Sequence, residues 1–134
     1  MCADIPWGSP FAGEAVNQFS CHYGPSQRFW LDYSVDSSNP RLVSDSSGLC
    51  IDVPGSSTVP GTNLQQYGCH SGLNQRFEFT SWNDAYGGWR VRPLSGVGAN
   101  LCLSVEGGSS SGSAPIEERP CVGTWDQRWY LSWR

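Results

Sequence analysis

The sequence predicts an all-β fold, and three observations carry that expectation. Gly 16 and Pro 9 against a single Met make the chain rich in turns. Short apolar runs bounded by Gly, Pro, Asn and Ser recur throughout, whereas no long stretch places apolar residues at helical spacing. Finally, one pattern of Cys, Gln and aromatic residues occurs three times with a period near fifty. At 134 residues the chain has the length of one domain with a real core.

The repeat is defined by its cysteines. Cys2 to Cys21, Cys50 to Cys69 and Cys102 to Cys121 are each nineteen positions apart. Six residues after the second Cys of each pair stands a Gln: Gln27 in "SQRF", Gln75 in "NQRF" and Gln127 in "DQRW". An aromatic follows two residues later, at Phe29, Phe77 and Trp129. Six Cys allow fifteen pairings, but the repeat selects the three local ones, Cys2–Cys21, Cys50–Cys69 and Cys102–Cys121. Closing a loop of this size stabilises by about 3 kcal/mol on the chain-entropy argument.

Each unit predicts its strands in order. Around the first Cys, Ala3 and Ile5, Ile51 and Val53, and Leu103 and Val105 fall on one face. Asp4, Asp52 and Ser104 fall on the other. Ahead of the second Cys, Val16, Leu64 and Ile116 anchor a second strand. Loops such as "VPGSSTVPG" and "EGGSSSGS" join the two. The Gln-Arg-aromatic segment makes a further strand, its ring directed to a shared centre that one unit alone cannot close. Repeats two and three have an additional strand before the first Cys, in "PRLVSDSSGLC" and "GWRVRPLSGVGANLC". The first repeat begins at Cys2, so its first strand is missing.

Composition narrows the function classes. A net charge of −4 with no Lys/Arg cluster argues against a nucleic-acid partner, whose binding rests on neutralising phosphates. Without a long apolar run, no membrane insertion is expected. An even number of Cys suits an oxidising compartment, and Met1 directly before Cys2 reads as an added start on a mature or excised secreted segment. "GSSSG" at 108–112 satisfies the Gly-x-Ser-x-Gly pattern of serine hydrolases, but it lies in a loop between strands rather than on a strand-turn-helix elbow. Glu117 and Glu118 are adjacent on a strand and so point to opposite faces, a poor acid/base pair. Paired cysteines leave no thiolates for zinc, and His22 and His70 form no standard metal motif.

With Cys-x-Asp, the nineteen-residue Cys spacing and Gln-x-aromatic in hand, the chain resembles the ricin-B-type lectin family over essentially its whole length. The middle repeat, "CIDVPGSSTVPGTNLQQYGCHSGLNQRFEF", is especially similar to carbohydrate-binding modules attached to bacterial xylanases and other glycoside hydrolases. The resemblance implies a β-trefoil of three repeats (approximately 1–35, 36–86 and 87–134), forming one lectin domain over 1–134. It also implies no catalytic activity and no cofactor.

In that family a sugar pocket uses the Asp two after the first Cys and the aromatic two before the second. A polar residue two before that aromatic and the amide before the motif Gln complete it, while the Gln orients the Asp. Carboxylate and amide groups bind hydroxyls, and an aromatic face stacks on the pyranose. The second repeat supplies Asp52, Gln65, Tyr67, Asn74 and Gln75, and His70 can add a donor. The first supplies Asp4, Asn17, Phe19, His22 and Gln27, with Ser26 in place of the amide. The third has Ser104, Glu117, Arg119, Asp126 and Gln127, and reads as scaffold.

The ligands expected are galactose or lactose, or xylan- and arabinan-type polysaccharide, with a fused catalytic domain in a secreted parent protein. A free-standing galactose-type lectin for cell-surface glycans is the first alternative. A degenerate trefoil with a structural or protein-binding role is the second.

Overall fold

In a computed structural model, residues 1–132 are described. Ten short strands follow one another: β1 (Cys2–Asp4), β2 (Asn17–Phe19), β3 (Phe29–Asp32), β4 (Arg41–Ser44), β5 (Cys50–Asp52), β6 (Gln65–Tyr67), β7 (Phe77–Ser81), β8 (Trp89–Pro93), β9 (Leu101–Val105) and β10 (Ile116–Pro120). Each Cys pair belongs to an antiparallel hairpin, β1–β2, β5–β6 or β9–β10. The strand after each Gln pairs with the strand that opens the next repeat, as β3–β4 and β7–β8. Trp129, by contrast, bridges back within its own repeat, to Trp89 at the start of β8. The result is a β-trefoil, and the three disulfides close Cys2–Cys21, Cys50–Cys69 and Cys102–Cys121.

The three hairpins meet in a closed ring of backbone hydrogen bonds. Val16 N–H donates to the Leu64 carbonyl (3.0 Å), Leu64 N–H to Ile116 (2.9 Å), and Ile116 N–H to Val16 (2.9 Å). Those three side chains are buried with Ile5, Ile51, Val53, Phe77, Val91 and Leu103. Ala3, Phe29, Leu42, Phe79 and Trp129 pack against this cluster. The apolar face anticipated around each first Cys is therefore the core face.

The first repeat holds no strand equivalent to β4 and β8 among the described residues. Among the described residues, β3 has β4 as its only strand partner. Strand β7 likewise pairs only with β8, but Phe77 N–H also donates to the Pro40 carbonyl just ahead of β4 (3.0 Å). Phe77 is fully enclosed, while its equivalent Phe29 is half-buried. Arg28 shows the same gap. Arg76 and Arg128 pair with Asp36 and Asp84 in the loops that precede β4 and β8, but Arg28 turns to Asp45.

One position in each hairpin places a polar side chain in the interior. Gln18 donates through its amide to the carbonyls of Ser109 and Ser111, and Gln66 does the same to Ser9 and Phe11. Each thus ties its hairpin to a loop of the neighbouring repeat. The third equivalent is Glu118, fully buried, with neither carboxyl oxygen hydrogen-bonded. An ionised carboxylate has no proton to donate, and burial pushes its pKa up to about 7.

Two predictions follow from these differences between repeats. Native Glu118 holds a proton that the unfolded chain has released between about pH 4.5 and 7, so stability falls as pH rises through that window. Glu118→Gln should restore the amide and raise stability at pH 8 by on the order of 2–3 kcal/mol, with little gain at pH 4. Urea unfolding at both pH values checks this, and equal gains would show that ionisation is not the cause. Cys50 and Cys102 are fully buried while Cys2 is partly exposed. Under graded dithiothreitol the Cys2–Cys21 bridge should therefore open first, as read by thiol labelling and mass spectrometry.

Candidate functional site

In each repeat the motif Gln is a strut between the two ends of the turn that follows the second strand. Gln75 accepts the His70 N–H through Oε1 (2.8 Å) and donates through Nε2 to the Gly68 carbonyl (2.9 Å). Gln27 makes the matching bonds with His22 and Ser20, and Gln127 with Val122 and Pro120. The turn is thereby held at the place where the Cys-x-Asp strand ends. An amide suits this role, because its oxygen accepts at one end of the turn while its nitrogen donates at the other.

Asp52 ends β5 directly opposite Gln65 of β6, and the alternation of β6 brings Tyr67 to the same face. Its carboxylate is buried, and three amides donate to it: Gln65 at 3.0 Å, Asn74 at 3.2 Å and Gln75 at 2.8 Å. Above it stand His70 and Tyr67, both about half exposed. His70 Nδ1 accepts the Gly72 N–H (2.9 Å), so the neutral imidazole carries its proton on Nε2, 3.7 Å from Asp52 Oδ2. A hydroxyl entering this gap can donate to the carboxylate and accept from the imidazole. The second repeat therefore brings together Asp52, Gln65, Tyr67, His70, Asn74 and Gln75.

The first repeat copies the frame with fewer internal bonds. Ser26 Oγ donates to Asp4 Oδ1 at 3.0 Å, and it alone among the described side chains hydrogen-bonds that carboxylate. Gln27 does not reach Asp4. His22 repeats the His70 arrangement, with Nδ1 accepting from Gly24 N–H and Nε2 at 3.8 Å from Asp4. Asn17 lies opposite Asp4 on β2, and Phe19, 44% exposed, lies two residues further along. A Cβ on Gly112 would sit 3.5 Å from the Phe19 ring, so the neighbouring loop backs that ring.

In the third repeat an open cleft of about 540 Å³ persists between Gly107, Glu117, Arg119 and Asp126. Ser104, at the position of Asp52, is buried and accepts from Gln127 (2.9 Å), which lines the cleft, and Arg119 donates to Glu117 (2.6 Å) instead of offering a ring. The "GSSSG" stretch lies in the turn and loop between β9 and β10. Among the described residues no group of three His, Cys, Asp or Glu could hold a metal ion.

Known proteins share this fold. A family model for the ricin-type β-trefoil lectin domain matches residues 38–132, and one for ricin-type β-trefoil lectin-like domains matches 1–67. The designed threefold-symmetric protein ThreeFoil is similar in structure, with a TM-score of 0.84 and 28% identity over 95% of this chain and 86% of that one. An exo-β-1,3-galactanase from Clostridium thermocellum matches with TM-score 0.84 and 24% identity over 95% of this chain. This chain spans only 26% of that enzyme. The ricin B-like lectin of Macrolepiota procera, solved in complex with lactose, matches with TM-score 0.73 and 19% identity, covering 95% and 83% of the two chains. Comparison with curated proteins finds no match. The chain belongs to the ricin-type β-trefoil lectin domain family, whose fold implies carbohydrate binding.

Proposed function

We propose that residues 1–134 form one non-catalytic lectin unit of three repeats. It binds sugar through the second-repeat pocket, and through the first as a further site. The observation that carries this reading is the buried Asp52 carboxylate, held by three amides beneath a half-exposed Tyr67 and a tautomer-fixed His70. A hydroxyl-rich ligand with an apolar face fits both parts. Galactose or lactose, or the exposed units of xylan- or arabinan-type polysaccharide, have that character.

The unit would hold an attached or associated secreted enzyme on its polysaccharide. Three disulfides support an extracellular location. The similarity to about a quarter of a longer galactanase supports an appended role. Shallow sites of this kind bind at roughly millimolar affinity, near −4 kcal/mol, and several engaged along one polymer raise avidity. A free-standing lectin is the second reading. It is favoured by the match to most of the Macrolepiota procera lectin, a chain scarcely longer than this unit.

A glycan and polysaccharide array followed by calorimetry tests the proposal. Asp52→Ala should weaken the second-repeat site more than tenfold. Because it leaves one N–H of each of the buried Asn74 and Gln75 amides without its acceptor, it should also cost about 1–3 kcal/mol of stability. Tyr67→Ala should weaken binding by about 1–2 kcal/mol with the fold unchanged. Ser104→Ala should do little. Silence of the wild type across the array, or a larger loss from Ser104→Ala than from Asp52→Ala, would overturn the assignment.

A further inference from the structure

Each hairpin loop turns just after its first strand, at Pro6–Gly8, Pro54–Ser56 and Glu106–Gly108. The middle residue of all three turns is left-handed, with φ of 59° at Trp7 and 61° at both Gly55 and Gly107. Glycine accepts that conformation freely, whereas a bulky aromatic residue is strained in it. Burial does not offset the strain, because Trp7 is fully exposed at 102% of its reference area. Among the described residues its indole N–H has no hydrogen-bond partner either. The fold would be better served by glycine here.

The place of Trp7 supplies a reason. In the third repeat Gly107 and Gly108 line the cleft together with Arg119 and Asp126, which are equivalent to Phe19 and Ser26. The turn at Pro6–Gly8 packs on the turn at Pro25–Gln27 that carries Ser26, and Ile5 N–H donates to the Ser26 carbonyl (3.0 Å). By the threefold equivalence with Gly107, Trp7 therefore occupies the position that lines the cleft in the third repeat, where Arg119 holds the place of Phe19. The floor of the first-repeat pocket is Asp4, which accepts one side-chain hydrogen bond where Asp52 accepts three. A carboxylate offers about four acceptor positions, so Asp4 keeps the greater capacity for hydroxyls.

We propose that Trp7 is a second stacking platform, making the first-repeat pocket a site for an oligosaccharide rather than a single sugar. One unit would sit on Phe19 with its hydroxyls on Asp4 and His22, and the next would stack on Trp7. A ring this exposed stands clear of a sugar seated on a buried carboxylate, and it meets the adjoining unit instead. The inference rests on the sugar-binding reading of the pockets and adds a specificity that the second repeat, with Gly55 at this position, does not have.

The test silences the second repeat with Asp52→Ala, or with Tyr67→Ala should that variant fail to fold. Galactose is then titrated against lactose, and xylose against xylotriose, by calorimetry. In one of these series the longer ligand should bind about 5- to 10-fold tighter than its monosaccharide. Adding Trp7→Gly should bring that ratio near one and raise the melting temperature, since glycine relieves the turn. Phe19→Ala should instead weaken both ligands together. An unchanged ratio in Trp7→Gly, or a first repeat that binds nothing while the second binds sugar, would overturn the proposal. If the wild type binds none of these sugars, the failure lies with the sugar-binding reading itself.

Discussion

The ring of hydrogen bonds through Val16, Leu64 and Ile116 is the constraint on which the rest of the molecule depends. Three β-hairpins, each too short to persist alone in water, are fixed by one another because every member both donates to a neighbour and accepts from the other. Their side chains fill the centre beneath the ring, so the apolar contact and the backbone pairing require the same relative placement. Once the hairpins are held in this way, the strand that carries each first Cys ends at the rim of its own repeat. The direction of every pocket is set by the axis rather than by its own loops.

Around that frame each pocket is a compromise between support and availability. Asp52 is fully supported, and the amides that hold it leave little acceptor capacity beyond one hydroxyl. Asp4 is supported only by Ser26 and stays more available. Ser104 keeps the strut from Gln127 but supplies no charge. The same backbone thus presents three floors of different chemistry, and the Gln strut is the part that does not vary among them.

Much of this was legible in the sequence, because the cysteine spacing fixed the repeat and the repeat fixed the alternation. The core positions Ile5, Val16, Ile51, Val53, Leu64, Leu103, Val105 and Ile116 all lie where the pattern puts them. Asp52, Gln65, Tyr67, His70, Asn74 and Gln75 do converge. Three features were not legible, each for a physical reason. Gln18, Gln66 and Glu118 occupy polar positions in an alternating strand, which reads as solvent-facing until the loop of the next repeat is seen covering them. Trp7 sits in a Pro/Gly-rich loop where composition says nothing of φ, and only the threefold comparison with Gly55 and Gly107 would have marked it. The partial exposure of Phe29 depends on what lies beside β3, and a repeat pattern averages that over three units.

The three disulfides are all internal to their repeats, and this has a consequence for how such a chain can change over time. A unit that carries its own covalent closure and its own Gln strut keeps its turn whether or not its floor still holds a ligand. Position 104 carries no carboxylate, yet the β9–β10 hairpin and its cleft are in place. The floor residue of one repeat can therefore change while the disulfide, the Gln strut and the floors of the other two stay as they are. After duplication, selection has three nearly independent surfaces on which to vary recognition, with one fold common to all.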